Sequence, residues 1–341
     1  MGTLALLVGL ALAMALFWTP QASSQLTVGW RDPSPHDVRW VTVENATRLE
    51  VLDWGGSGRP LVLLGCYLTA HLYDDFAPKL TDQFQVYGIT RRGLGASDKP
   101  PAGYSLERSA QDVLEVLDAL KLRKPILVGY ACAGSLLTHL SSHNPDRIGG
   151  LVYFDAADDP TLTNADYDIP FPDSAQLPRT ARPVPAADHS SFEAYRIAQR
   201  KSHGMAFPEA ELRQQFVATT EGSVGPSRMS SAFRRAVTEP SRVKPDYSRI
   251  RVPVLAIYRQ NPPFEDFAAD YITRNEQERT ALRQLYDATA AMVRRWQRDL
   301  RAAVPTARIV NLVSANLYMF LSNEAQVLRE VRAFGATIAG H

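Results

Sequence analysis

The sequence predicts an α/β protein with a mostly parallel central sheet flanked by helices. Short apolar runs typical of buried strands alternate with amphipathic helical segments over residues 61–154, and the alternation resumes at residue 252. Such alternation produces βαβ units with right-handed crossovers, and hence parallel strands. Residues 156–247 interrupt the pattern with a stretch rich in Pro, Asp and Ser. The interruption predicts a single sheet that carries an insertion.

Each element is predicted from its own pattern. Residues 25–37 form a lead-in, and two apolar stretches predict a hairpin. The strands are predicted at 38–43, 49–54, 61–64, 84–89, 125–129, 151–154, 252–258 and 308–312, and the helices at 71–80, 106–120, 133–143, 276–302 and 321–337. Further helical pieces are predicted near 191–203, 208–219 and 228–238. We therefore assign residues 25–155 and 248–341 to the core and residues 156–247 to a helical lid.

Composition narrows the function classes. The chain is 45% hydrophobic and 21% charged, which is typical of a globular protein. Its net charge is +1, so it lacks the basic footprint of a nucleic-acid-binding domain. No nucleic-acid partner is expected, and a small uncharged molecule is the expected ligand.

The first 24 residues differ from the rest of the chain. Residues 3–18 form an uninterrupted run of apolar or small residues, and Ala22 and Ser24 precede Gln25 in the pattern that signal peptidase prefers. The run is short for a membrane span, which needs about 20 apolar residues. We expect an export signal that directs the protein to the periplasm or outside the cell, with an uncleaved membrane anchor or a buried helix as the alternatives.

The sharp turn between a strand and a helix at residues 128–134 is the place where catalysis would be expected. The segment reads Val-Gly-Tyr-Ala-Cys-Ala-Gly. A nucleophile elbow needs small residues two before and two after the nucleophile, and Gly129 and Ala133 meet that demand. The residue between them is Ala131, whose methyl group has neither a lone pair nor a proton to lose.

With these residues in place the chain resembles the α/β-hydrolase superfamily, in the group of esterases, epoxide hydrolases and haloperoxidase-like proteins. The resemblance spans nearly all of residues 38–338 and also includes the Gly-rich turn at 92–98 and the Asn-Leu-Tyr-Met-Phe stretch at 316–320. It implies an α/β-hydrolase fold with a lid. It also implies a Ser, Asp or Cys at position 131, an acid after the strand ending at Tyr258, and a His after the last strand.

This sequence departs from that family pattern at each catalytic position. The nucleophile position is Ala131, and the His position aligns with Leu317. No acid directly follows Tyr258. Asp155, at the end of the preceding strand, is either a relic catalytic acid or a cap for the first turn of the insertion.

The resemblance also places an oxyanion hole beside Ala131. Its donors would be the backbone N–H groups of Cys132 and of Cys66 or Tyr67. Three alternatives remain open for the cysteines: buried thiols that act as small apolar side chains, a Cys66–Cys132 disulfide across the hole, or Cys132 as a substitute nucleophile.

Aromatic residues dominate the rest of the predicted site. Tyr130 and Tyr318 are candidate pocket residues, and His71 heads a predicted helix beside the pocket. His139 and His143 are four residues apart on one helix, but no third ligand is apparent. We expect no metal and no cofactor.

These observations favour a non-catalytic member of the family that binds a small apolar ligand. The alternative is an active hydrolase of a small ester that uses non-standard residues around Asp155, His71 and Cys132. A protein that only interacts with partners and has no pocket is the third hypothesis.

Overall fold

The computed structural model describes residues 30–177, 186–229, 235, 239 and 242–338. The strands are β1 Asp37–Val43, β2 Thr47–Gly55, β3 Arg59–Leu64, β4 Phe84–Ile89, β5 Ile126–Tyr130, β6 Gly150–Phe154, β7 Phe216–Ala218, β8 Val224–Ser227, β9 Val254–Gln260 and β10 Arg308–Val313. The helices are α1 Leu106–Ala119, α2 Ala133–His143, α3 Phe192–His203, α4 Glu209–Gln215, α5 Phe264–Phe267, α6 Glu276–Ala303, α7 Met319–Ser322 and α8 Glu324–Thr337.

In these residues an eight-stranded sheet runs in the order β1-β2-β4-β3-β5-β6-β9-β10. The strands β1, β2 and β4 pair antiparallel, whereas β4, β3, β5, β6, β9 and β10 form parallel pairs in that order. The predicted α/β class with a mostly parallel sheet is therefore confirmed. β5 lies near the centre, so the turn that follows it opens at the carboxyl edge where ligands of open α/β sheets bind.

Helices cover both faces of the sheet. On one face, α1, α2 and α6 pack against side chains such as Leu127 and Tyr153. On the other face, α8 and the segment 68–80 pack against Val128 and Phe154. The strands at the centre are apolar on both faces because both are covered.

Two predicted helices are wrong in detail. The segment predicted as a helix at 71–80 forms two short 3-10 turns, Ala70–Tyr73 and Ala77–Leu80. Pro78 explains the break, because a proline has no N–H to continue a helix and is tolerated only in its first turn. The last helix is divided into α7 and α8 at Asn323.

The insertion, residues 156–247, leaves the sheet after β6 and returns at β9. Its predicted helices at 191–203 and 208–219 correspond to α3 and α4, but α4 ends at Gln215. The next three residues form β7, which pairs antiparallel with β8. The aromatic and β-branched residues of β7 favour a strand over a helix. The helix predicted near 228–238 falls largely outside the described residues.

The expected export signal or anchor at residues 1–24 also lies outside the described residues and stays a prediction. Among the helices that the structure describes, none is both long enough and apolar enough to cross a bilayer.

Candidate functional site

Ala131 occupies a strained turn between β5 and α2. Its φ is +48°, in the left-handed region that non-glycine residues rarely adopt. The Ala131 N–H donates to the Phe154 carbonyl (3.3 Å), and its own carbonyl accepts from the Gly134 N–H (2.9 Å). Backbone strain of this kind costs about 1–3 kcal/mol and persists only where the surroundings enforce it. The turn therefore has the geometry of a nucleophile elbow although its side chain is a methyl group.

The small residues around the elbow are required by close packing. A Cβ on Gly129 would lie 2.9 Å from a Leu137 methyl carbon. A Cβ on Gly134 would lie 1.7 Å from the Ala156 carbonyl oxygen, a contact that no rotamer change can relieve. Hence α2 packs directly on the chain that leaves β6. This contact fixes the position of the N-terminus of α2 next to Ala131.

The structure joins Cys66 and Cys132 in a disulfide with a Cα–Cα distance of 5.0 Å. The bridge connects the loop after β3 to the first residue after Ala131, across the predicted oxyanion hole. Because both sulfur atoms are bonded, Cys132 has no thiolate to act as a nucleophile, and neither cysteine is a buried thiol. Of the three alternatives, the structure contains the disulfide.

Aromatic side chains surround this turn. The hydroxyls of Tyr67 and Tyr318 lie 3.5 Å apart, and the Tyr318 ring centroid is 4.8 Å from that of Phe207 in the insertion. Ala131, Tyr67 and Leu317 are partly exposed and pack against the same apolar cluster. The site is thus an apolar surface at the tip of β5 with insertion residues beside it.

Tyr130 does not line this surface as predicted. Its side chain is completely buried because alternate residues of β5 point into the core beneath the site. Burial raises the pKa of its hydroxyl well above the usual value. Tyr130 is therefore a core residue.

Asp155 fits neither of its two predicted roles. Its carboxylate is 2% exposed and accepts hydrogen bonds from Arg259, from Nε to Oδ2 at 2.5 Å and from the backbone N–H to Oδ1 at 3.2 Å. The carboxylate therefore ties β6 to β9 instead of orienting an imidazole or capping the insertion.

His71 is also placed differently from the prediction. Its Nδ1 lies 2.8 Å from Asp74 Oδ2 and 3.2 Å from Asp32 Oδ2, and its Nε2 lies 3.6 Å from Glu50 Oε1. Burial lowers the pKa of His71, but attraction to the three surrounding carboxylates outweighs burial and leaves the pKa well above 6.5. A protonated imidazole enclosed by acids is a poor general base.

Comparisons with known proteins agree with this architecture. The family model described as "alpha/beta hydrolase fold" matches residues 59–221. The chain resembles the crystal structure of E-2-(acetamidomethylene)succinate hydrolase with a TM-score of 0.59 and 18% identity, covering 88% of this chain and 98% of that one. An esterase from Exiguobacterium antarcticum gives a TM-score of 0.57 and 16% identity, covering 87% of this chain and 98% of that one.

The chain has an α/β-hydrolase fold.

Curated sequences align with the chain over a shorter region. A "putative carbamate hydrolase" of Caulobacter segnis is 38% identical over 107 residues, which is 30% of this chain and 40% of the relative. A soluble epoxide hydrolase of Corynebacterium sp. (strain C12) is 34% identical over 118 residues, which is 34% of this chain and 41% of the relative. The match thus spans about two fifths of the length of these relatives.

The candidate site contains a buried cation that the sequence did not reveal. Arg91, just after β4, donates from Nη1 to the Cys66 carbonyl (2.9 Å) and from Nη2 to Ser109 Oγ (3.1 Å). Burial lowers its pKa to about 10, which leaves it charged at neutral pH. The guanidinium holds the carbonyl side of the loop that carries the predicted oxyanion donors. The Gly-rich turn at 92–98 includes the neighbouring Arg92 but not Arg91, so the sequence pattern gave no signal for Arg91.

Glu211 on α4 is a second unanticipated residue of the candidate site. It is fully buried, and its Oε2 accepts hydrogen bonds from the backbone N–H (3.1 Å) and the hydroxyl of Thr69. Gln215 Nε2 donates to Oε1 (3.1 Å). The insertion is therefore docked onto the loop after β3 through one carboxyl group. A glutamate in an amphipathic helix carries no sequence signal for such a contact.

Glu211 should make the stability of this docking depend on pH. Burial raises its pKa from 4.5 to about 8, so the folded state retains a proton that the unfolded state releases. The contribution is complete below pH 4.5 and is lost as the pH rises towards 8. We expect the native protein to lose about 3 kcal/mol of stability between pH 5 and 8, relative to Glu211→Gln.

Urea denaturation at several pH values measures this difference. Glu193→Gln, at an exposed position on α3, serves as the control and should follow the native curve. Parallel curves for the native protein and Glu211→Gln would contradict the assignment.

Proposed function

We propose that this α/β-hydrolase-family protein binds a small apolar molecule at the tip of β5 without forming a covalent intermediate. The observation that carries the proposal is Ala131 at φ +48°. The elbow conformation presents its side chain at the N-terminus of α2, where the family places its nucleophile. A methyl group cannot form an acyl-enzyme or alkyl-enzyme bond.

The neighbouring groups support the same proposal. Leu317 is the residue that the family resemblance aligns with the base, Asp155 is paired with Arg259, and Cys132 is in the disulfide. Oxyanion-hole donors alone retain only a part of triad catalysis, about 10³–10⁴ over the uncatalysed reaction. The surroundings therefore favour binding over turnover.

The ligand class follows from the lining. Tyr67, Leu317 and Tyr318 offer partly exposed apolar surface, and Phe207 and Tyr195 of the insertion pack on the same cluster. A mostly apolar lining with few polar groups suits a small uncharged ligand. In this proposal the insertion acts as the lid, with Glu211 holding it to Thr69.

A covalent probe tests the absence of a nucleophile. We expect a fluorophosphonate not to label the native protein, and the hydrolysis of short aryl esters not to exceed the rate in buffer by more than the about 10³–10⁴-fold that oxyanion-hole donors alone retain. Ala131→Ser/Leu317→His is the matched variant, because it restores a hydroxyl at the elbow together with an imidazole base and should become the labelled protein. Mass spectrometry reads the adduct. Stoichiometric labelling of the native protein would overturn the proposal.

Hydrolysis of a small ester is the second candidate, and the names of the relatives favour it. The curated relatives described above are named as hydrolases. Without a nucleophile at 131, water would attack directly, with Asp155 released from Arg259 to assist it. Ester turnover by the native protein that is insensitive to fluorophosphonate and lost in Asp155→Asn would establish this candidate and reject the first.

We also propose that the protein is exported. The Cys66–Cys132 disulfide supports this, since disulfides persist in oxidising compartments. The intact mass of the natively produced protein tests it, and a mature chain that begins at Gln25 is the expected result. A full-length chain with two free thiols would contradict it.

A further inference from the structure

Four potential metal ligands meet where the lead-in packs on the segment after β3. Asp32 and His36 come from the lead-in, His71 lies in the 3-10 turn Ala70–Tyr73, and Asp74 directly follows that turn. One donor atom of each lies within 4.8 Å of the others. No metal-ligand spacing is apparent in the sequence, so this cluster departs from the expectation of no metal site.

The distances between the donor atoms suit one small cation. His71 Nδ1 is 2.8 Å from Asp74 Oδ2 and 3.2 Å from Asp32 Oδ2, and His36 Nδ1 is 3.1 Å from Asp74 Oδ1. A tetrahedral zinc ion with bonds of about 2.0–2.1 Å holds its ligand atoms about 3.3 Å apart. With one donor atom from each residue, all four atoms lie within 4.8 Å of one another, so side-chain adjustments would bring them onto a single ion.

Three of the atoms in this cluster are buried without a hydrogen-bond partner among the described residues. They are Asp32 Oδ2, His36 Nδ1 and Asp74 Oδ1. The side chains of His36 and Asp74 are only 5% and 3% exposed, and their 3.1 Å approach lacks the alignment of a hydrogen bond. Buried polar atoms left unpaired cost about 1–3 kcal/mol each. A cation bound between them would satisfy all three together.

The surroundings of His71 match those of a metal-ligating histidine. Such a histidine directs its second ring nitrogen towards a carboxylate, which orients the ring. The Nε2 of His71 faces Glu50 Oε1 at 3.6 Å, and Glu50 Oε2 accepts a hydrogen bond from Thr90 Oγ1 (2.8 Å). Glu50 is therefore positioned to orient His71 while Nδ1 binds the ion.

We propose that Asp32, His36, His71 and Asp74 bind one zinc ion with a structural role. Two imidazole nitrogens and two carboxylate oxygens form a set that zinc accepts, whereas calcium and magnesium prefer oxygen ligands alone. Four protein ligands are typical of a closed, structural zinc site. Zinc displaces the protons of the cluster as it binds.

The bound ion would connect two parts of the chain that matter for the site. It fastens residues 32–36 to the segment that begins with Thr69, the residue that receives Glu211 from the insertion. The cluster is thus separate from Ala131, and it supports the loop after β3 that carries Cys66 of the disulfide.

Metal analysis of the full chain, produced without a metal-chelating tag, tests the proposal. We expect one zinc per chain by mass spectrometry of the purified protein. After removal with a chelator, calorimetric titration with zinc chloride should restore one site, and calcium chloride should give no binding. Absence of stoichiometric zinc binding by the stripped native protein would overturn the proposal and identify the cluster as an ion-pair network only.

Variants assign the site to these residues. His36→Gln should weaken zinc binding by at least about 100-fold. The double variant His139→Gln/His143→Gln removes the other close histidine pair, which is stacked on α2, and should bind zinc like the native protein. The reverse outcome would place the ion on α2 and reject the proposal.

A second measurement does not depend on the folding of a variant. X-ray absorption of the native zinc protein should show two imidazole and two carboxylate ligands. Asp32→Asn, at the most exposed ligand, should weaken zinc binding in parallel with His36→Gln. A sulfur ligand or a single imidazole in the spectrum would contradict the assignment.

Discussion

Removal of the Cys66–Cys132 disulfide is expected to lower the free energy of unfolding by about 4 kcal/mol. The two cysteines are 66 residues apart in sequence, so the bridge closes a long loop in the unfolded chain. The chain-entropy relation for a loop of that length gives this value, since the cross-link removes conformations mainly from the unfolded state. The loss is a large part of the 5–15 kcal/mol that stabilises a typical domain.

The double variant Cys66→Ser/Cys132→Ser measures this effect without leaving a reactive thiol. Its urea denaturation should be compared with that of the native protein in the absence of reductant. The native protein with reductant is the second arm, and it should approach the stability of the variant. A difference below about 1 kcal/mol between the oxidised protein and the variant would contradict the expected role of the bridge.

The bridge also bears on the site. It connects the loop after β3 with the residue that follows Ala131. Arg91 donates a hydrogen bond to the Cys66 carbonyl. Both ends of the predicted oxyanion hole are therefore tied, which limits the movement of the backbone there.

Replacement of Gly134 by alanine is expected to disrupt the elbow and to cost more than about 3 kcal/mol of stability. The added Cβ would lie 1.7 Å from the carbonyl oxygen of Ala156, so α2 and the chain after β6 must separate. Overpacking of this kind in a rigid core typically costs 1–3 kcal/mol, and a clash with backbone lies at or above the upper end of that range.

Gly204→Ala is the matched control for this prediction. It adds the same methyl group at the C-terminal end of α3, where a Cβ meets open space and only the positive φ of +71° opposes it. Its cost should be about 1 kcal/mol. Thermal denaturation of both variants, with crystal structures where they fold, checks the comparison. Equal losses in the two variants would show that packing on Ala156 does not govern the position of α2.

The sequence by itself determined the fold class and the position of the elbow. Alternating apolar runs and helical spacing are local patterns, and they are enough to predict parallel strands wherever helices separate them. The steric requirement for Gly129 is also local, because the side chains that it must clear, Ala133 and Leu137, follow closely along the chain. The same local reasoning failed for the segment 71–80, where Pro78 outweighed the helical spacing.

Only the tertiary structure decided which distant side chains meet. It selected the disulfide from three alternatives for Cys66 and Cys132, and it engaged Asp155 with Arg259 across two neighbouring strands. It also brought His36 to His71 in a cluster of carboxylates. The physical reason is that local sequence patterns depend on residues close along the chain, whereas these contacts depend on how loops of different length pack. A polar residue in a loop carries no local signal of the partner it will find.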